Sequence, residues 1–297
     1  MTRFGSYEVV GELGRGGMGV VYEARHPHTP RRLALKRILR ARSDAQGLAR
    51  FDREARLLAQ VRHPSVVRAH DAGRDEQGNP FLVTDLVEGE GLDEVLRRGP
   101  LEPTRAAELV AALAEGIAAV HRVGVLHRDL KPANVILTPE GRPVLIDFGL
   151  ARPTGDAESL TRSGVIVGTP SYMAPEQAEG LPSAALDARV DVYGLGAILY
   201  ACLAGRPPFE GSGPLQVAKK VLCDPIRWPV ASPVPPALRA VAERALAKAP
   251  ADRFAGADEL AHAVRESIRA PTPSPSRAPL FLAGGGAFVA LALAIAA

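Results

Sequence analysis

The chain has 297 residues, of which 46% are hydrophobic and 23% charged, with a net charge of +3. That balance excludes disorder for most of the chain and leaves room for two lobes or domains. The basic residues are spread out, with no block suited to a nucleic-acid footprint. Cys202 and Cys223 form no CxxC or Cys/His cluster, which argues against a disulfide framework or a zinc site and for a reducing compartment. The first ten residues lack an apolar run, so no signal peptide is expected.

In chain order, Tyr7-Glu8-Val9-Val10 and Val20-Val21-Tyr22-Glu23-Ala24 flank a glycine-rich turn, and Arg32-Leu33-Ala34-Leu35-Lys36-Arg37-Ile38 alternates with period two. A small antiparallel sheet follows from that pattern. Leu48, Phe51, Ala55, Leu58 and Ala59 recur at helical spacing, which predicts one amphipathic helix over 47–61, between the third and fourth strands. Val66-Val67 and Phe81-Leu82-Val83 are expected to complete the sheet across the turn-rich stretch 75–80. From Pro103 the pattern becomes helical, with Ala106, Leu109, Val110, Leu113, Ile117 and Val120 on one apolar stripe. The apolar stretch within 187–204 contains Asp191 and is followed by Gly205-Arg206-Pro207-Pro208, which marks a buried core helix rather than a membrane span. Further helices are expected over 234–269, broken near Pro250.

The C-terminus differs. Pro271, Pro273, Pro275 and Pro279, interleaved with Ser and Thr, read as an extended linker over 271–279. Residues 280–297 then carry no charged side chain, and about 18 residues as a helix reach roughly 27 Å, enough for a bilayer core. We expect a membrane anchor there, although Gly284, Gly285 and Gly286 weaken a helix. Arg265, Arg269 and Arg277 on its N-terminal side favour a cytoplasmic globular domain.

Four motifs carry chemistry. Gly14-Arg15-Gly16-Gly17-Met18-Gly19-Val20-Val21 is a G-x-G-x-x-G-x-V hairpin whose bare backbone can approach phosphates. Because Val20-Val21-Tyr22 continues as strand, it suits a mononucleotide under a flap rather than a dinucleotide at a helix start. Lys36 on the next strand is a candidate phosphate ligand, and Glu54 on the helix is expected to orient its ammonium. In His127-Arg128-Asp129-Leu130-Lys131-Pro132-Ala133-Asn134, Asp129 can accept a hydroxyl proton and Lys131 can neutralise charge on a transferring phosphoryl group. Asn134 and Asp147, the latter in Asp147-Phe148-Gly149, supply hard oxygen ligands suited to Mg²⁺.

On these motifs, residues 7–269 resemble the eukaryotic-like (Hanks-type) Ser/Thr protein kinases, closest in style to the bacterial transmembrane members. The resemblance implies an α+β, bilobal protein-kinase fold, with a small antiparallel N-lobe sheet and one helix (1–87) and a mainly α-helical C-lobe (88–270). It implies ATP with Mg²⁺ or Mn²⁺ as cofactors and transfer of the γ-phosphate to Ser/Thr hydroxyls of protein substrates. Leu13, Gly14, Gly16, Gly19, Val21, Ala34, Lys36, Thr84, Asp85, Val87 and Ile136 are then the nucleotide site, with Thr84 as gatekeeper, 85–87 as hinge and Ile136 as the adenine floor. Ala174-Pro175-Glu176 matches A-P-E, with Arg253 as the partner of Glu176, and Asp191 resembles the aspartate that braces the catalytic loop. Lys131-Pro132 and Gly168-Thr169 resemble the Ser/Thr rather than the tyrosine branch.

Arg128, beside the base, brings positive charge that a phosphate on 147–176 can neutralise. Thr161 and Ser163 are the expected acceptors, which predicts activation by autophosphorylation in trans through a transient homodimer. The alternative is a membrane-tethered pseudokinase scaffold; pseudokinases usually lack the lysine, the catalytic aspartate or the metal aspartate, and all three are present.

Overall fold

A computed structural model describes residues 2–16, 19–39, 45–148, 170–229 and 234–269. The expectations for Gly149, Thr161, Ser163, Thr169 and 271–297 lie outside them. Strands β1 (Arg3–Phe4), β2 (Tyr7–Gly16), β3 (Gly19–His26), β4 (Thr29–Ile38), β5 (Ala69–Arg74) and β6 (Pro80–Asp85) form one sheet in the order β1-β2-β3-β4-β6-β5. Every neighbouring pair in it is antiparallel. Helix α1 (Ala45–Leu58) lies between β4 and β5 in the chain, as the apolar spacing predicts.

The register gives the sheet two faces. Leu33, Leu35, Phe81 and Val83 pack with Phe4 and Tyr7 on the outer one. On the other, Val21 lies opposite Lys36 and Ala34 opposite Thr84, so the candidate nucleotide residues share a face by the period-two alternation of strands. That face meets a core in which Ile38, Phe51, Leu58 and Leu82 from the sheet and α1 pack with Val120, Val144 and Phe148.

One expectation fails here. Val66-Val67 is not the fourth strand: Val66 bridges Leu145 in parallel, Val67 N–H donates to the Leu145 carbonyl at 2.9 Å, and the strand begins at Ala69. This strand is at the sheet edge, where solvent tolerates the polar His70, Asp71 and Arg74, so it shows no apolar alternation. The buried valines instead tie the sheet-bearing lobe to the helical one.

The second lobe contains α2 (Leu92–Arg97), α3 (Pro103–Arg122), α4 (Pro175–Ala178), α5 (Arg189–Ala204), α6 (Pro214–Cys223), α7 (Pro236–Ala245) and α8 (Ala257–Arg269). A small sheet joins β7 (Glu90–Gly91), β8 (Val135–Leu137) and β9 (Pro143–Leu145). Helix α3 starts with proline at its first position, and the Glu102 carboxylate accepts from the free N–H groups of Thr104 and Arg105 at 2.9 and 3.0 Å. Its apolar stripe packs on α5 and α8. Helix α5 is buried throughout Val190–Leu203 and stops at Gly205, whose φ of 68° permits the left-handed cap. Gly194 within it lies against the Leu130 side chain, so even a methyl group there would push the helix off the catalytic loop. Among the described residues no helix is long and apolar enough to cross a membrane.

Candidate active site

Two pieces of backbone set up the loop 127–134. The Asp191 carboxylate, 1% exposed on α5, accepts from the N–H groups of His127 (2.8 Å) and Arg128 (2.7 Å), and lies 2.8 Å from His121 Nε2. Burial works to raise its pKa, but the hydrogen bond and charge of His121, with His127, outweigh it and hold the carboxyl below its ordinary value. Arg128 has a φ of 61°, rare for a residue with a side chain, and the bond from its N–H to Asp191 and the bond from Gln177 Nε2 to its carbonyl, one on each side of its Cα, hold the turn there. A short 3₁₀ turn, Pro132–Asn134, then leads into β8.

Asp129, Lys131 and Asn134 converge through this turn. Lys131 Nζ donates to Asp129 Oδ2 at 2.8 Å, and Asn134 Nδ2 donates to the Asp129 carbonyl at 2.8 Å and to Oδ2 at 3.2 Å. With its amide nitrogen on Asp129, Asn134 has its side-chain oxygen as the candidate ligand atom. Asp147 is placed just beyond β9, where the Ile146 N–H donates to the Asn134 carbonyl at 3.0 Å. Phe148 packs its ring 4.9 Å from that of His127, anchoring the segment to the loop.

The expected Lys36–Glu54 pair is not formed. Lys36 Nζ contacts both Asp147 oxygens, at 2.5 and 2.6 Å, and Glu54 Oε1 instead pairs with Arg128 at 3.3 Å. All four side chains are less than a third exposed, so each charge needs a partner, and the helix acid has Arg128 as its own. Asp52, two positions away, points outward to Arg74 at 2.8 Å.

Added Cβ atoms at Gly14 and Gly16 would meet nothing within 4 Å, so packing does not require glycine at either position. Gly19 differs, since a Cβ there would collide with the Arg37 carbonyl of the neighbouring strand. Leu13 sits at a bulge between the paired Glu12 and Gly14 and is 49% exposed. Thr84 is buried and Ile136, half-buried on β8, lies opposite Val144. Asp85 turns its carboxylate to His70 at 2.6 Å, and its N–H bonds the Arg68 carbonyl, so its side chain faces away from the nucleotide face. Val87 shows no backbone hydrogen bond among the described residues, which leaves its N–H and C=O for the edge of a base.

On the opposite side of the loop, Arg253 clasps Glu176 through two bonds of 2.7 and 2.8 Å, with Arg253 2% exposed. Gln177 Nε2 donates to the Arg128 carbonyl at 2.8 Å and links α4 to the catalytic loop. Sequence reasoning passed over Gln177 and His121. A polar residue directly after Ala174-Pro175-Glu176, and a histidine in the last turn of an otherwise apolar stripe, were the available signals.

The family described as "Protein kinase domain" matches residues 7–264. The serine/threonine-protein kinase PknH of Mycobacterium bovis is 41% identical over 274 residues, covering 91% of this chain and 45% of that protein. PkaA of Streptomyces coelicolor is 43% identical, covering 85% of this chain and 48% of its own length. The chain thus spans about half the length of these relatives. The crystal structure of the Mycobacterium tuberculosis PknI kinase domain aligns with a TM-score of 0.71 at 33% identity, over 91% of this chain and 98% of that one.

The Asp191 bonds yield a pH prediction. With its folded pKa depressed, Asp191 contributes stability that is complete above the unfolded carboxylate value of about 3.9 and is lost as pH falls through the lower folded value. The denaturant midpoint of wild type should therefore fall more steeply below pH 4 than that of Asp191→Asn; parallel profiles would contradict the assignment.

Proposed function

The chain belongs to the protein kinase family, and we propose that it is a Ser/Thr protein kinase, transferring the ATP γ-phosphate to hydroxyls of protein substrates without narrow specificity. The observation that carries this reading is the Asp129–Lys131–Asn134 cluster, facing Asp147 and Lys36 across one cleft. The residues fit a nucleotide with a divalent cation. Two uncrowded glycines overlie the face that holds Lys36, and Asn134 and Asp147 offer the hard oxygens such a cation takes. When bound, Mg²⁺ or Mn²⁺ neutralises the β- and γ-phosphate oxygens. Asp129 accepts the proton of the attacking hydroxyl, Lys131 balances charge on the transferring group, and Lys36 holds the α- and β-phosphates. Val87 offers backbone groups to adenine between Ala34 above and Ile136 below.

The charge pairing supports a resting form. With Lys36 on Asp147 and Glu54 on Arg128, the metal ligand is neutralised by the phosphate-binding lysine. A phosphate on Thr161 or Ser163 competes for Arg128, since a doubly charged oxyanion binds a guanidinium more strongly than a carboxylate does. Glu54 is then released toward Lys36, and Asp147 toward the cation. Modification in trans by a transient homodimer supplies that phosphate. The pseudokinase alternative gains no support, because the lysine, the base and both metal ligands share one site.

In a transfer assay with ATP, Mg²⁺ and a generic basic protein substrate, Asp129→Asn should lower kcat by about 10²- to 10⁴-fold, the range for loss of a general base. The Thr161→Ala, Ser163→Ala double variant should retain only basal activity and show no phosphate by intact mass; full activity there would remove the switch from the account.

We further place 1–270 as the kinase domain, 271–279 as linker and 280–297 as a tether that keeps the domain at the cytoplasmic face of the cell membrane. The uncharged composition of 280–297 supports this. Full-length protein should sediment with membranes and protein lacking 280–297 should not; soluble full-length protein would refute the tether.

A further inference from the structure

Behind the sheet, away from the nucleotide face, a cavity of 380 Å³ is lined by Tyr7, His26, Arg31, Leu33, Arg68 and His70. Its floor is apolar, since Tyr7 is 8% and Leu33 4% exposed, and its rim carries two arginines and two histidines. Several arginines among the described residues have carboxylate partners: Arg32 has Glu23 and Glu88, Arg74 has Asp52, and Arg98 has Glu90. Arg31 and Arg68 have no ion pair among the described residues.

Two carboxylates bond to residues that line the cavity. Asp71 accepts from the Tyr7 hydroxyl at 3.0 Å, and Asp85 lies 2.6 Å from His70 Nε2. Burial, with the charge and hydrogen bond of Asp71, pushes the Tyr7 phenol up to about 12, so the floor adds no negative charge near neutrality. Arg68 also lines a neighbouring cavity of 330 Å³ behind the chain connection between the lobes, together with Arg62 and Arg142. Arg62 spends donors on the Ala59 and Val61 carbonyls, at 2.6 and 2.8 Å. Arg142 has no ion pair among the described residues.

We propose that this rear cavity is a docking site for a phosphorylated Ser/Thr segment of a protein, with Arg31 and Arg68 gripping the phosphate and Tyr7 and Leu33 receiving an adjacent apolar side chain. A guanidinium matches phosphate oxygens in a two-point fork, and two of them facing one concavity favour a compact dianion over a single carboxylate. A flat lipid surface does not enter the concavity, and a duplex needs a longer basic track than these two adjoining cavities provide. The site rests on the proposed activity in one respect, that such segments are its products: the domain would stay on a protein it has already modified, with the cleft on the other face free to act again.

The test omits ATP, so binding is read independently of turnover. The probe is a synthetic peptide of residues 155–167 of this chain with phosphothreonine at 161, titrated by fluorescence anisotropy against the full-length protein. The phosphorylated form should bind at least ten times more tightly than the unmodified peptide and than the Thr161→Glu peptide, with affinity falling as salt rises. Arg31→Ala with Arg68→Ala should abolish the preference, while transfer to an unphosphorylated substrate stays unchanged. Arg31→Lys with Arg68→Lys keeps the charge and should recover part of the affinity, which separates lost recognition from a disturbed fold. Equal binding of all three peptides, undiminished binding by the alanine pair, or preference for anionic vesicles or duplex DNA over the phosphopeptide would overturn the proposal. Active protein that binds no phosphopeptide would remove this site alone, and inactive protein that binds it would remove the kinase reading alone.

Discussion

Four charged side chains from four parts of the chain form two ion pairs at the candidate site, and the way they pair is the constraint on which the proposed mechanism depends. Lys36 comes from β4, Glu54 from α1, Arg128 from the catalytic loop and Asp147 from the end of β9. Two unit charges about 4 Å apart near a protein surface interact by about 4 kcal/mol, so none of these partly buried groups is left alone cheaply. One pairing is observed, and the proposed mechanism adds a second that also satisfies the set. In one, Lys36 neutralises Asp147 and Arg128 neutralises Glu54, as here; in the other, Lys36 meets Glu54 while a phosphate and a cation serve Arg128 and Asp147. Because each arrangement compensates every charge, exchange between them costs far less than breaking a pair would.

Such an exchange works only if the surroundings stay fixed, and the buried contacts supply that. Asp191 binds two successive N–H groups and faces His121, so the turn that aims Asp129 does not depend on which partner Arg128 has. Gly194 lets α5 approach Leu130 closely enough to make those bonds. The Glu176–Arg253 clasp and the Gln177 bond to the Arg128 carbonyl hold α4 against the same loop. Removing one partner of a buried ion pair typically costs about 3–5 kcal/mol, so this side of the site behaves as a scaffold. In the proposed exchange the moving part is α1, whose Glu54 travels between Arg128 and Lys36.

Much of this was legible in the sequence, for identifiable reasons. Asp129, Lys131 and Asn134 fall within six residues, so a single turn brings them together whatever the rest of the chain does. Lys36, Ala34, Thr84 and Val21 share a face because strand alternation dictates it. The stripe on α3 and the buried α5 were visible because their periodicity and their bounding proline and glycine are local signals. What was not legible was tertiary. Nothing in the spacing of Glu54 says which of two cations it faces, since that depends on where α1 docks. Val66 and Val67 read as strand because they are apolar and β-branched, yet they pair with β9, while the true strand at 69–74 is a polar edge. Asp85 was placed in the hinge by resemblance, which does not say where its side chain goes, and that side chain turns to His70.

The central claim is that the observed pairing is the resting half of an exchangeable site for a metal-bound nucleotide. A crystal structure of the chain phosphorylated on Thr161 or Ser163, with Mg²⁺ and a non-hydrolysable ATP analogue, measures it directly. The account predicts Lys36 Nζ within ion-pair distance of Glu54, Arg128 on the phosphate, and Asp147 and Asn134 on the cation. Lys36 still on Asp147, with Glu54 still on Arg128 in the presence of bound nucleotide, would contradict it.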